Sequence, residues 1–314
     1  MTQSKKMALL FIGFLGVFVI SCSLSLWIHS PDHFALTDAQ NIKPPFTTSP
    51  TFTTTSTPTF TPTATFTPTP TFTPSPTSTV TPTPTIQLVS FGPGVVPVPV
   101  LLYHHIASPS GKGNRYYVDP ETFKIQMEYL NKHGYHTVKV SDLVNAVREG
   151  NLLPVKPVVI TFDDGDRDVY ENAYPILQQL GFTATIYLIG NALNADTNLT
   201  VEMVRELVAH GWEVGSHSMS HADLLQSQNQ AYEICTSRQK LTEWLGVSVN
   251  TFAYPYGLAD DHLMQMVRDC GYTSGAGLGY WNKHTPNNLF YFSRREVEGT
   301  FTLQQMDRLL DTSN

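Results

Sequence analysis

The sequence predicts an α/β fold, a distorted barrel of parallel strands and crossover helices, over residues 95–314. Three observations carry that expectation. Short apolar runs rich in β-branched residues alternate with amphipathic helical stretches from Val98 onward. Polar residues gather directly after the strand ends, the face on which α/β barrels build their sites. The run Val158–Phe162 stops on Asp163, Asp164 and Gly165. Two adjacent acids repel each other, so the pair marks either a bound cation or a solvated Asp-Gly turn.

The bulk numbers narrow the class. Charged residues are 14% of 314, well below the usual quarter. The deficit lies between Lys43 and Lys112, where nothing is charged. Net charge is −7 with no basic run, which argues against nucleic-acid binding. The three cysteines, Cys22, Cys235 and Cys270, are too few and too scattered for a disulfide scaffold or a thiolate zinc site. Cys235 and Cys270 read as two separate buried thiols, with pairing as the alternative if the domain lies outside the cytoplasm.

Residues 1–30 form an N-terminal targeting segment. Lys5 and Lys6 precede an apolar run from Met7 to Ile28, long enough to cross a bilayer and oriented with the lysines inside. Val19-Ile20-Ser21-Cys22 also resembles a lipoprotein signal, but the run continues apolar past Cys22 and favours an uncleaved anchor. Either form tethers an extracytoplasmic protein to the membrane. Residues 31–94 make a linker. Its centre, 47–85, is almost entirely Thr, Pro and Ser, with the unit Thr-Phe-Thr-Pro-x-x at 59–64, 65–70 and 71–76. Proline removes donors and fixes φ, so an extended stalk is expected. At ~3.1 Å per residue it reaches on the order of 120 Å.

Within the globular part each element has a local cause. Val98–Tyr103 reads as a strand ending in His104 and His105. Asp119 caps a helix to Leu130 with Pro120 in its first turn. His136–Val140 is strand-like, and Ser141 is expected to cap a helix to about Val147. After the Asp163-Asp164 strand, Asp168 and Glu171 stand at capping-box spacing ahead of a helix ending near Gly181. Strand Thr183–Leu188, helix Thr200–His210 and strand Trp212–Gly215 follow, and then His217. A long helix is expected over 230–245, a strand over 251–254, and a helix from Asp260 to about Cys270. Late strands are expected over 273–277 and 290–297.

His217 and His221 are four apart, on one helical turn or in a tight loop, so both imidazoles can face one ion. Alone the spacing is weak. Its place after an apolar strand, like that of Asp163-Asp164, brings a carboxylate beside two histidines. Three such ligands leave an open position for water, the form of a catalytic zinc site.

Thr161-Phe162-Asp163-Asp164-Gly165, His217-Ser218-Met219-Ser220-His221 and Phe252-Ala253-Tyr254-Pro255-Tyr256-Gly257 resemble successive motifs of the polysaccharide deacetylases, the NodB-homology or carbohydrate esterase family 4 group. The resemblance covers nearly all of 96–300. It implies a distorted (β/α) barrel and a divalent metal, usually zinc, on Asp164, His217 and His221. It implies Asp163 as general base and the backbone N–H of Tyr256, set by Pro255, as oxyanion donor. The opening Leu102-Tyr103-His104-His105 is similar to the branch that includes extracellular poly-N-acetylglucosamine deacetylases, and implies His104 as catalytic acid. His105 reads as structural or as a wall of the cleft. Many relatives carry an arginine where this chain has Ala253, so Arg294 or Arg295 either supplies that charge or forms surface ion pairs. Trp281 reads as part of an acetyl pocket, a sugar-stacking platform or loop packing.

The expected activity is metal-dependent removal of N-acetyl groups from an N-acetylglucosamine polymer, with Zn²⁺ favoured and Co²⁺ or Ni²⁺ also acceptable to the donor set. Two rivals stand beside it: an O-acetyl esterase on xylan or another glycan, and a non-catalytic glycan-binding module.

Overall fold

Strand Pro157–Phe162 lies inside the main sheet, hydrogen-bonded on both sides. The computed structural model describes residues 86–108 and 115–313. The predicted anchor, Cys22 and the Thr/Pro-rich segment to residue 85 lie outside the described residues, among which no helix is long and apolar enough to cross a membrane. In chain order the strands and α-helices are β1 Leu88–Val89, β2 Val96–Pro97, β3 Val100–Tyr103, α1 Pro120–Lys132, β4 His136–Val138, α2 Val140–Glu149, β5 Leu153–Pro154, β6 Pro157–Phe162 and α3 Tyr174–Gln179. They continue as β7 Thr185–Leu188, α4 Val201–Ala209, β8 Glu213–Ser216, α5 Ser237–Leu245, β9 Thr251–Ala253, α6 Asp261–Asp269, β10 Ser274–Ala276, β11 Lys283–His284, β12 Arg295–Glu296 and α7 Leu303–Leu310.

The main sheet runs β10-β9-β8-β7-β6-β3-β12, every pair parallel. β3 lies along one side of β6; on the other, β4 pairs with its first half and β7 with its second. Both faces of β6 are covered, so its six residues are all buried and its sequence runs apolar rather than alternating. Val158, Val159, Ile160 and Phe162 are fully buried, each worth about 1.5–3 kcal/mol relative to exposure. That burial fixes where the next two residues, Asp163 and Asp164, must stand.

The expected barrel takes the form of a curled parallel half-barrel sheet. Its edges approach through one segment. Phe292 bridges Ala276 of β10 in parallel, and three residues later Arg295 pairs with Leu101 of β3. Two small antiparallel pairs, β1 with β5 and β2 with β11, and helix α7 were not foreseen. Because β1 pairs with β5, ordered packing begins before the expected boundary at residue 95.

Several local readings are corrected. Helix α1 starts as expected, with Asp119 accepting from Glu121 N. Helix α2 is entered through Lys139, whose N–H donates to Asp142, and Ser141 lies inside the first turn with its N–H donating to Glu213. Asp168 makes no cap; its carboxylate turns back to His105 and Ile106 N, and Val169–Ala173 winds as a π-helix. The helix expected over 230–245 opens with a π-helical turn, Tyr232–Thr236, before α5. Leu289–Tyr291 is a 3₁₀ turn, so the last expected strand shrinks to β12. Cys235 and Cys270, read as separate thiols, form a disulfide between that π-helical turn and the C-cap of α6.

Candidate active site

The carboxyl ends of β3, β6, β8 and β9 open onto one cavity of about 270 Å³. His104, Asp163, Asp164, His217, His221, Tyr256 and Arg294 all line it. Pro255 is buried in the 3₁₀ turn that carries Tyr256. Trp281 lies elsewhere: it is 64% exposed and lines a neighbouring pocket that shares Leu278 with the cavity.

Asp164, His217 and His221 each offer a ligand atom, all within 4.8 Å of one another. Asp164 Oδ1 is 3.6 Å from Nε2 of both histidines. Tetrahedral ligation at about 2.1 Å separates donor atoms by roughly 3.4 Å, so the spacing suits one divalent cation. Two further facts support the fit. Asp164 Oδ1 is buried without a hydrogen-bond partner, which a bound cation would relieve. His217 Nδ1–H donates to Ala253 O at 2.8 Å, which leaves Nε2 as the lone-pair donor facing the cluster.

Electrostatics agree with this arrangement. Burial lowers the His217 pKa to about 4 and also lowers that of His221, so both imidazoles are neutral and able to ligate at pH 7. Burial, with Asp163 and then Asp166 nearby, raises Asp164 to about 7. Excess negative charge is what a cation site presents while nothing positive is bound.

Asp163 differs from its neighbour. Arg294 donates to both of its oxygens, at 2.6 and 2.8 Å, with both side chains buried. Burial alone would raise its pKa, but the guanidinium and then His217 outweigh it and hold the carboxyl well below the usual range. Between the two candidate arginines, Arg294 is the one in the site. Arg295 faces the other way and donates to Arg308 O and Tyr280 O.

His104 follows β3 beside this pair. Burial, only partly offset by Asp163, lowers its pKa to about 4, and its ring packs against Tyr116 at 4.8 Å. His105 also borders the cavity, stacked on Tyr117 at 4.0 Å. Burial would lower its pKa, but its bond to Asp168 and the charges of Asp166 and Asp168 raise it. Arg115, ion-paired with Glu296, completes the rim. No sequence signal marked either, since their meeting depends on β12 docking beside β3. Four non-glycine residues at the site, Asp164, Ser218, His221 and Tyr256, have positive φ. Strain of this kind, about 1–3 kcal/mol per residue, concentrates where geometry serves function.

Residues 151–275 match the polysaccharide deacetylase family model. BA0330 of Bacillus anthracis, a solved structure, shares 30% identity and a TM-score of 0.61, over 68% of this chain and 69% of that one. The chain belongs to the polysaccharide deacetylase family. Among its relatives is the poly-β-1,6-N-acetyl-D-glucosamine N-deacetylase of Staphylococcus aureus (strain MSSA476), 28% identical over 204 residues, covering 60% of this chain and 70% of the relative. YxkH of Bacillus subtilis (strain 168) is 31% identical over 180 residues, 57% of this chain. The chain spans 63% of the length of YxkH.

Proposed function

We propose that this chain is a metal-dependent hydrolase that removes N-acetyl groups from an extracellular or cell-wall polysaccharide containing N-acetylglucosamine. The observation that carries the reading is the cluster of Asp164, His217 and His221, with Asp164 Oδ1 buried and without a hydrogen-bond partner, beside an aspartate held by Arg294. The likeness to the S. aureus N-deacetylase supports the substrate class. A cation on these three residues, Zn²⁺ by preference, would acidify a bound water and polarise the acetamide carbonyl.

The chain's own residues divide the remaining work. Asp163 is the general base: Arg294 keeps it ionised and fixed in orientation, ready to take a proton from water. Its low pKa makes it a weak base, so the proton does not rest there. His104 is neutral in the resting site and must be charged before it can act as an acid. The proton collected by Asp163 is its source, and His104 delivers it to the departing nitrogen. The backbone N–H of Tyr256, on a turn set by Pro255 with Tyr256 at φ 60°, is the oxyanion donor. Trp281 and the 82%-exposed Tyr280 form a platform for a neighbouring sugar ring.

The protein is read as extracytoplasmic and tethered to the membrane by its N-terminal segment, through an anchor or a lipidated Cys22. The Cys235–Cys270 disulfide supports an oxidising location.

The test is acetate release from N-acetylglucosamine oligomers, peptidoglycan and acetylated xylan by chain stripped of metal and reloaded with Zn²⁺, beside Asp163→Asn. Metal-dependent release from the amide substrates, lost in the variant, is expected. Release from xylan alone would replace the reading with an O-acetyl esterase. Stoichiometric metal binding without release from any polymer would favour a glycan-binding module.

A further inference from the structure

His221 leaves the sheet on a loop that does not hold itself. After β8 the backbone passes through left-handed Ser218, φ 67°, and left-handed His221, φ 59°. Each costs an L-residue about 1–2 kcal/mol, so something outside the loop must fix it. One internal bond contributes: Ser218 Oγ accepts from His221 N at 2.8 Å. Two backbone bonds anchor the loop from one side, Gly190 N–H to Ser218 O at 3.0 Å and Asn191 N–H to Met219 O at 2.8 Å. The side-chain anchor is a single carboxylate, Glu233. Its Oε2 accepts from Met219 N at 3.0 Å and Ser220 N at 2.8 Å, and its Oε1 accepts from Ser220 Oγ at 2.6 Å.

Glu233 is itself held from several sides. It is buried, in the π-helical turn Tyr232–Thr236. The disulfide from Cys235 ties that turn to α6. Tyr272 and Ser237 donate to Ile234 O, and Ser216 at the end of β8 donates to Ser237. A buried acid that spends three acceptor contacts on one short loop is a costly arrangement unless the loop's shape matters.

We propose that Glu233 is a positioning residue for the metal centre: it fixes the 218–221 loop so that His221 Nε2 faces Asp164 and His217. The inference rests on the metal reading of the site. Glu233 is not a ligand and would act on a bound cation through this loop, and residues of that standing change metal affinity by about 10–100-fold when removed.

The experiment uses the full chain in detergent, stripped of metal. Zn²⁺ affinity is measured by chelator competition, Co²⁺ absorption reports ligand geometry, and thermal unfolding of the metal-free chain reports stability. Wild type, Glu233→Ala, Glu233→Gln and Ser220→Ala are compared. Glu233→Ala removes all three acceptor contacts and is expected to weaken Zn²⁺ binding about tenfold or more with an altered Co²⁺ spectrum. Glu233→Gln, whose amide oxygen can still accept from Met219 N and Ser220 N, is expected to retain most of the affinity. Ser220→Ala, which removes a single contact, is expected to weaken binding a few-fold and carries the test if Glu233→Ala does not fold. Wild-type affinity and spectrum in folded Glu233→Ala, or in Ser220→Ala should Glu233→Ala not fold, would overturn the proposal, leaving Glu233 a purely structural acid. A wild-type chain that binds no Zn²⁺ would instead remove the metal reading itself.

Discussion

Replacing Arg294 by methionine separates what its charge does for the fold from what it does for the site. The guanidinium and Asp163 are both buried and share two hydrogen bonds. Removing one partner of such a pair leaves an uncompensated buried charge and costs about 3–5 kcal/mol. For a domain of this size each kcal/mol is worth roughly 2–4 °C, so Tm should fall by about 10 °C. Arg294→Met combined with Asp163→Asn removes both charges and should recover much of that loss, a coupling energy of roughly 2 kcal/mol or more in a double-mutant cycle. The site effect has its own sign. Without the guanidinium, burial dominates and the Asp163 pKa rises. A base must be ionised to work, so the acid limb of kcat/KM moves to higher pH. Thermal unfolding of the four chains and acetate release across pH 5–9 supply both readouts. Additive stabilities together with an unmoved acid limb would refute the reasoning.

Other expectations follow from the same structure. His284 is buried, its Nε2 donates to Val98 O, and burial lowers its pKa to about 4. Its folded pKa lies below its unfolded value near 6.5, so the stability it contributes is present above pH 6.5 and lost as pH falls to about 4. The loss is about 3 kcal/mol. Urea unfolding at pH 7 and pH 4.5 should show that loss in wild type and a smaller one in His284→Gln. The Cys235–Cys270 bond closes a separation of 35 residues, which loop entropy values at about 4 kcal/mol. Dithiothreitol should therefore lower Tm by roughly 10 °C in wild type and leave a Cys235→Ser/Cys270→Ser chain unmoved. Trp281→Ala should raise KM several-fold on long oligomers while hardly changing it on a monomeric acetamide; equal effects on both would place Trp281 at the cut rather than beside it.

The parts of the site that sequence could reveal are those whose neighbours in space are also neighbours in pattern. Asp163 and Asp164 stand out because an unbroken apolar strand ends on them, and His217 and His221 because a second strand does the same. Arg294 and Arg295 could not be told apart from composition. Successive residues of an extended segment face opposite ways, and the register of β12 against β3 decides which one enters the site. Asp168 does not cap because a histidine at the end of the neighbouring strand takes the same carboxylate, which capping-box spacing cannot show. Glu233 left no trace at all: two of its three partners are backbone N–H groups, which every sequence has. The parallel sheet with crossover helices was legible from alternation; its stopping at a half-barrel was not, and the small edge pairs of β1 and β2 were too short to show periodicity.

The joining of the sheet's two edges by one late segment gives the protein a chronology as well as a shape. Phe292 reaches β10, and Arg295 reaches β3, near the opposite end of the domain's sequence. Arg294 lies between those contacts. A nascent chain can assemble β6 and the histidine loop while Asp163 still has no counter-charge to bury against. Synthesis must pass Arg294 before that carboxylate can be enclosed at low cost. Chains truncated or stalled before β12 should therefore keep an open, hydrated site and an unsealed sheet, which makes the salt bridge a marker that β12 has docked.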